Sequence, residues 1–207
     1  MKKIDIHVHT IAEPGLLRPR GDTFATPEEL FAMYAMLGVE KAVLLPILSP
    51  EGQFDGNTNR EIMNIARRYP DRFYWFCNID PRQGNNDTST DFVAMLAYYR
   101  SCGAKGLGEI TANLPMDDPR VEALLAACEK CGMPVTIHIG DLGGDYGLVD
   151  SLGLPKLEKL LQKYRFDNFV SEEEFENSVE AGNNWCPKYD YLLFKKSIDI
   201  EYSAERN

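Results

Sequence analysis

The chain has 207 residues, 44% of them hydrophobic and 26% charged, so it is long enough to bury one sizeable core. Its formal net charge of −10 argues against nucleic acid or an anionic membrane as a partner, because both attract clustered lysine and arginine. No run approaches the roughly 18 apolar residues of a membrane span, and no long apolar signal segment follows the basic start, so we expect a cytoplasmic protein.

Strands and helices are predicted to alternate along the chain. The first strand covers residues 3–9, where apolar and polar residues alternate. Its two predicted faces are Ile4, Ile6 and Val8 on one side and Asp5, His7 and His9 on the other. The first helix begins near Thr26-Pro27, a capping threonine before a first-turn proline, and ends at Gly38. The later elements are strands at 41–46, 73–79, 104–110 and 134–139, and helices at 57–69, 88–102, 118–131 and 154–164.

This order predicts a parallel sheet with helical crossovers, for which an open doubly wound sheet and a closed (β/α)8 barrel are the two candidates. Strands of an open sheet that is covered on both sides tend to be apolar on both faces. Here the first and fifth strands carry polar residues on one face, among them His7, His9 and His138. That arrangement favours a TIM-barrel-like α/β fold with a site at its C-terminal mouth.

The barrel is predicted to be incomplete. Five strand–helix units occupy about 166 residues, so eight units would need about 265, as in typical barrels, and the chain has 207. The tail changes character, with an acidic amphipathic helix pattern at 171–180 and a strand or short helix at 191–202. We predict a single domain with barrel-like units in 1–166 and a divergent tail in 167–207, which could cover the open edge of the sheet.

The three histidines of the chain all stand at the C-terminal end of a predicted strand. His7 and His9 are two residues apart, so their imidazoles project from one face about 7 Å apart along the strand and can converge on one ion at its end. Neutral imidazole is a good ligand for zinc, iron, nickel or cobalt. A single histidine at a strand end is more often a hydrogen-bonding residue, but the pair together with His138 favours a metal site.

Two carboxylates are candidates for the same site. Glu109 ends the fourth predicted strand, where it could be a fourth metal ligand or a base for metal-bound water. The alternative for Glu109 is a structural salt bridge, for example with Lys105. Asp141, just past His138, could orient an imidazole or be an ordinary loop residue. Asp5, deeper in the first strand, is predicted to be structural.

Five cysteines are present, and Cys128 and Cys131 form a CxxC inside a helical pattern. No second cysteine pair completes a zinc site, so we interpret these two as reduced cysteines of a helix; a redox pair is the alternative. Three loops are predicted to line the mouth of the barrel, at 15–23, 50–59 and 140–147. In the first of them, Arg18 or Arg20 could meet a substrate carboxylate, although solvated loop arginines are more common.

Several segments of the sequence resemble those of a known family. Residues 4–10, Ile-Asp-Ile-His-Val-His-Thr, resemble the opening strand of the amidohydrolase-related (amidohydrolase 2) proteins, which are metal-dependent TIM-barrel hydrolases. The segments that resemble the same family in order are 37–46, 69–73, 103–110 and 134–138, and the match covers roughly residues 2–165. The resemblance implies a divalent metal, zinc first and iron or manganese as alternatives, held by His7, His9 and His138. It also implies that Glu109 lies near this metal.

The resemblance implies a metal-dependent hydrolase in which activated water attacks an amide, cyclic amide or ester of a small molecule. A related metal-dependent decarboxylase is an alternative. The family would also supply a histidine at the end of strand six and an aspartate at the end of strand eight, and the aspartate takes a proton from the attacking water. After Tyr164 the chain has no histidine, and nothing places Asp190 or Asp199 at such a strand end.

This departure motivates two further hypotheses. The chain could be a truncated or degenerate paralogue without catalytic activity. Two chains could instead complete each other's barrel as a homodimer, since an uncovered strand edge invites pairing, and shared sites would restore an enzyme. A phosphoesterase of the polymerase-and-histidinol-phosphatase type, whose opening motif is similar, ranks last because those barrels need more histidines.

Overall fold

The structure is a computed structural model. It describes residues 3–18, 21–52, 56–140, 144 and 146–164, and the backbone of 168–169 and 190–194. The strands are β1 (Lys3–Val8), β2 (Val39–Leu44), β3 (Phe73–Trp75), β4 (Leu107–Ile110), β5 (Val135–Gly140), β6 (Leu148–Val149), β7 (Asn168–Phe169) and β8 (Asp190–Phe194). The helices are α1 (Pro27–Leu37), α2 (Asn59–Arg68), α3 (Phe92–Ser101), α4 (Pro119–Cys131) and α5 (Pro155–Lys163). Strands and helices alternate from β1 to β5 as predicted.

Local capping sets the helix ends. Thr26 and Glu29 form a capping box at the start of α1, and Gly38 ends the helix in the left-handed conformation with φ 70°. Where a helix begins later than predicted, a capping side chain explains the difference. The second and third helices begin later than predicted because the side chains of Thr58 and Asp91 cap α2 and α3.

The parallel strands neighbour one another in chain order. β1 pairs with β2, β2 with β3 and β4 with β5, all in parallel. β3 is shorter than predicted and β4 begins later, but an isolated parallel bridge between Cys77 and Leu107 joins the two. A doubly wound sheet reverses its strand order at a switch point, whereas a barrel does not. The described part of the chain is therefore an incomplete (β/α) barrel.

The sheet also curls as a barrel does. In a flat sheet, β1 and β4 would lie three strand spacings apart, or about 14 Å. Instead, Glu109 Oε2 on β4 lies 3.1 Å from Nε2 of His9, the residue after β1. The carboxyl ends of β1, β4 and β5 consequently face a common centre.

The far edge of β5 is covered in an unexpected direction. The two-residue β6 pairs in parallel with the end of β5. Along Val135 to His138, however, where a closed barrel would continue with a parallel strand, β8 pairs antiparallel, with Val135 opposite Leu193 and His138 opposite Asp190. β7 in turn pairs antiparallel with β8. The predicted strand at 191–202 falls partly on β8, while the predicted helix at 171–180 lies outside the described residues.

An irregular register in β1 reverses the predicted alternation of its faces. Asp5 pairs with Ala42 and Val8 with Leu44, so β1 advances three residues while β2 advances two. One extra residue in a strand turns the following side chains to the other face. Asp5 accepts a hydrogen bond of 2.7 Å from the Tyr34 hydroxyl and therefore faces α1. Burial and this hydrogen bond raise the pKa of Tyr34.

The prediction that Asp5 lies on the same face as His7 and His9 is therefore wrong. His7 lies within the irregular stretch and His9 beyond it, and both imidazoles face the centre of the curled sheet. Ile4 and Ile6 are 37% and 47% exposed, so they are not covered by α1. The sequence pattern of a regular strand could not show this, because the extra residue is defined by the pairing with β2.

The buried cysteines are components of the core. Among the described cysteines, Cys77, Cys102, Cys128 and Cys131 are all free thiols. Cys128 and Cys131 lie on α4, as the helical interpretation of the CxxC predicted. Cys77 and Cys128 are fully buried. Over the same described ranges, none of the helices has the length and apolar character to cross a membrane.

Cys77 and Cys128 are expected to react with a thiol reagent such as DTNB only after unfolding. Burial raises the pKa of both thiols, so the reactive thiolate is scarce as well as shielded. Of the four cysteines that the structure describes, the half-buried Cys102 and Cys131 are expected to react first. Mass spectrometry of labelled peptides at successive times in native buffer checks this order. Labelling of Cys128 as fast as that of Cys131 would contradict it.

Candidate metal centre

The three histidines and Glu109 meet at the carboxyl ends of β1, β4 and β5. His7 Nε2 and His9 Nε2 lie 3.2 Å apart. Glu109 Oε2 lies 3.4 Å from His7 Nε2 and 3.1 Å from His9 Nε2. Among the residues that the structure describes, this is the one group of three potential ligands whose atoms all lie within 4.8 Å of one another.

The spacing of these atoms fits a single metal ion. Zinc binds nitrogen and oxygen at about 2.0–2.2 Å in tetrahedral geometry, which places neighbouring ligand atoms about 3.3–3.6 Å apart. The three separations of 3.1, 3.2 and 3.4 Å lie within about 0.2 Å of this interval. Two imidazole nitrogens and one carboxylate suit zinc, iron or manganese, so the donor set does not select one metal.

The tautomer of His9 also suits metal binding. Its Nδ1 lies 2.7 Å from the backbone oxygen of Leu45. A carbonyl oxygen only accepts, so Nδ1 carries the proton, and in the neutral ring Nε2 keeps a lone pair. This lone pair is on the atom that faces His7 and Glu109. A backbone carbonyl that fixes a histidine in this way is the usual support for a metal ligand.

His138 approaches the same carboxylate from the other side. Its Nδ1 lies 2.7 Å from Glu109 Oε1, while the other oxygen of Glu109 faces His7 and His9. His138 is therefore joined to the centre through Glu109, outside the group of three ligand atoms. Its role as a metal ligand stays a prediction.

Glu109 is a buried carboxylate held in its charged form. It is 1% exposed, and burial alone would raise its pKa. Hydrogen bonds from His138 and His7 outweigh the burial and hold the pKa of Glu109 well below its ordinary value. The neighbours of this carboxylate are thus the three histidines, whereas the salt bridge considered from the sequence involved Lys105.

The lowered pKa of Glu109 predicts how the stability of the metal-free protein depends on pH. A carboxyl whose pKa is lowered in the folded state stabilises the fold above its unfolded pKa, about 4.3, and loses this contribution as the pH falls through the folded pKa. The difference in free energy of unfolding between the parent and Glu109→Gln is therefore expected to persist from neutral pH to about pH 5 and to vanish only in stronger acid. Urea unfolding at a series of pH values measures this difference. Its disappearance already above pH 5 would contradict the lowered pKa.

Asn78 holds the backbone of Glu109, and the sequence interpretation missed it. The Asn78 side-chain nitrogen donates to the backbone oxygens of Glu109 and of Pro46, the latter at 2.7 Å. Asn59 pairs with the backbone of Asn78 through both atoms of its amide. Both asparagines are buried. The predicted third strand, 73–79, included Asn78. The sequence therefore did not indicate that Asn78 is a polar residue after the end of a short apolar strand.

The loop after β1 contributes an aromatic ring and a cation. The Phe24 ring centroid lies 5.4 Å from that of His9, and the Arg18 guanidinium lies 4.4 Å above Phe24. Arg18 also pairs with Asp22, with Nε 3.1 Å from Oδ1. Its contact with a substrate carboxylate stays a prediction. The other candidates from the sequence, Arg20 and Asp141, lie outside the described residues.

Comparison with known proteins gives matches among solved structures. No family model matches the chain, and no curated protein matches it. A probable 2-pyrone-4,6-dicarboxylic acid hydrolase from Acinetobacter baumannii, with citric acid bound, is 20% identical at a TM-score of 0.42 and is matched over 65% of this chain and 48% of its own. An uncharacterised TIM-barrel protein from Bordetella bronchiseptica is 17% identical at a TM-score of 0.49, over 79% of this chain and 64% of its own.

A 5-carboxyvanillate decarboxylase from Novosphingobium aromaticivorans, complexed with manganese and a nitrobenzoic acid, also matches. It is 21% identical at a TM-score of 0.38, over 51% of this chain and 32% of its own. The chain thus spans about half the length of the first of these proteins and less than two thirds of each.

Proposed function

We propose that the chain is a metal-dependent hydrolase of the amidohydrolase-related family, acting on an amide, cyclic amide or ester of a small molecule. The observation that carries this proposal is the buried Glu109 carboxylate, whose Oε2 faces His7 Nε2 and His9 Nε2 at metal-ligand spacing. Charged groups are expensive to bury unless they are paired or coordinate a metal. Barrel enzymes have their active sites at the carboxyl ends of the strands, and this cluster lies at the same end of the curled parallel sheet.

His7, His9 and Glu109 are the residues that would hold the ion. A bound divalent metal supplies Lewis acidity, which polarises a carbonyl group and makes water nucleophilic near neutral pH. The carboxylate of Glu109 compensates the positive charge, and the Leu45 carbonyl keeps the His9 ring in its ligand tautomer. The protein thereby fixes both the charge and the orientation of the site before any substrate binds.

The geometry favours a ligand role over a base role for Glu109. A general base works best when its pKa lies near the working pH. The pKa of Glu109 is held well below that range by hydrogen bonds from His138 and His7. An ionised carboxylate only accepts hydrogen bonds, so the bond between His138 Nδ1 and Glu109 Oε1 is donated by the imidazole.

Metal-dependent turnover tests the proposal. Metal-free protein and protein reconstituted with zinc, manganese or iron are incubated with lactones, cyclic amides, linear amides and unsaturated carboxylic acids, and products are followed by mass spectrometry. We expect addition of water to one of the first three classes, only in reconstituted protein. Loss of carbon dioxide from the acids would instead identify the decarboxylase. Protein that holds metal but turns over none of the four classes would contradict both enzymes and favour the non-catalytic paralogue.

A further inference from the structure

Tyr146 lies against the His138 side of the metal centre. The two ring centroids are 4.5 Å apart, and the rings meet at 74°, close to edge on face. Tyr146 comes between β5 and β6 in the chain, so its ring stands beside the carboxyl end of β5. The residue is half-buried, so part of it is accessible to solvent.

The same ring reaches the loop that follows β2. A Cβ atom on Gly52 would lie 2.6 Å from Tyr146 Cε2 and 2.8 Å from Ile47 Cγ2. Real Cβ atoms do not approach so closely, so the ring packs directly on the glycine backbone. Tyr146 therefore spans the space between the β5 side and the β2 side of the mouth.

Two further glycines let the backbone of Tyr146 turn back over β5. A Cβ atom on Gly140 would overlap the carbonyl oxygen of Tyr146. Gly147 has φ +88°, and a Cβ atom there would lie 2.6 Å from His138 Cδ2. Both positions therefore need the small residue that they have. The absence of a side chain at Gly140 and Gly147 thus allows the backbone to bring Tyr146 close to His138.

Thr111, just after β4, is hydrogen-bonded to two loops, the one that follows β2 and the one between β5 and β6. Its backbone oxygen accepts a hydrogen bond of 2.9 Å from Gly147 N. Its hydroxyl is hydrogen-bonded to the hydroxyl of Ser49, which lies in the loop after β2. Thr111 and Ser49 are both buried. The two surfaces that contact the Tyr146 ring are thus fixed relative to each other, and the ring is held between them.

We propose that Tyr146 is a specificity-determining residue, a wall that limits the size of the group that a metal-bound ligand carries on the His138 side. The inference rests on the proposed metal centre. A ring fixed between the two loops fills space beside His138 that a bulky substituent would need. Removing the ring opens this space but leaves the three ligand atoms of His7, His9 and Glu109 in place. Ligand selection should therefore change while metal binding does not.

Hydroxamates of two sizes test this wall in the full chain. The protein is loaded with cobalt, which imidazole ligands suit and whose visible spectrum reports on its ligands. Acetohydroxamate and benzohydroxamate are then titrated, and the ratio of their dissociation constants is compared between variants. Tyr146→Ala is expected to shift the ratio about tenfold in favour of benzohydroxamate, the scale on which pockets discriminate by size. Tyr146→Phe, which keeps the ring, is expected to retain the parent's ratio.

Tyr98→Ala is the matched control, because Tyr98 is 58% exposed on α3. An unchanged ratio in cobalt-loaded Tyr146→Ala would overturn the proposal, as would a Tyr146→Phe variant that behaves like Tyr146→Ala. If Tyr146→Ala does not load cobalt, Tyr146→Leu, which keeps an apolar contact with His138, is judged by the same ratio. A parent that gives no cobalt spectrum would overturn the metal centre itself, which distinguishes that failure from a failure of the wall.

Discussion

Replacing Glu109 by glutamine is expected to weaken the binding of a divalent metal by about 100-fold or more. Loss of a residue that only supports a metal ligand typically costs 10- to 100-fold, and Glu109 supplies a ligand atom itself. The substitution keeps the size of the side chain but removes its charge, at a site that is 1% exposed. Charge interactions are stronger in such surroundings than in water. Competition with a chromogenic chelator measures the affinity.

Glu158→Gln is the matched control for this prediction. Glu158 is an exposed residue of α5, and the same change of charge there is expected to leave the metal affinity unaltered. An affinity of Glu109→Gln equal to that of the control would contradict the assignment of Glu109 as a ligand. It would leave Glu109 as a hydrogen-bond partner of His138 and His7.

Asn78→Ala is expected to lower the free energy of unfolding by about 2–6 kcal/mol. The substitution removes the donor for two buried carbonyl oxygens, and each buried polar group left without a partner costs about 1–3 kcal/mol. These oxygens belong to Pro46 after β2 and to Glu109 on β4. Metal affinity is expected to fall about tenfold as well, because the backbone that carries the Glu109 ligand loses its support. Urea unfolding and chelator competition measure the two effects.

Asn64→Ala, on the exposed side of α2, is the control that makes this prediction specific. A surface substitution of this kind is usually within about 0.5 kcal/mol of neutral. If Asn78→Ala destabilises the protein no more than Asn64→Ala does, the carbonyl oxygens do not depend on the Asn78 amide. If it destabilises the fold but leaves metal affinity unchanged, Asn78 supports the sheet without positioning Glu109.

Features set by neighbouring residues could be predicted from the sequence. The capping box of Thr26 and Glu29 and the left-handed Gly38 depend on a few adjacent residues, and the structure has both where the pattern indicated. The strand-end placement of His7, His9 and Glu109 follows from a general property of barrels, whose strand ends share one mouth. The structure brings these three side chains together.

Features set by contacts between distant segments could not be predicted. Asp5 faces α1 because the pairing of β1 with β2 contains an extra residue, which no single strand pattern reveals. Asn78 is recognisable only once the ends of β2 and β4 are known to be adjacent. Tyr146 reaches His138 because Gly52 and Gly147 leave room for it, and such fits depend on the packed loops.

The metal content of the full chain decides whether His7, His9 and Glu109 form a metal centre. The protein is purified without a histidine tag or chelator, beside a His7→Ala/His9→Ala variant, and both are measured by elemental mass spectrometry. We predict close to stoichiometric zinc, iron or manganese in the parent and its loss in the variant, because the variant keeps only the Glu109 atom of the three. A parent that holds no metal, even after reconstitution, would contradict the metal centre and the proposed hydrolase with it.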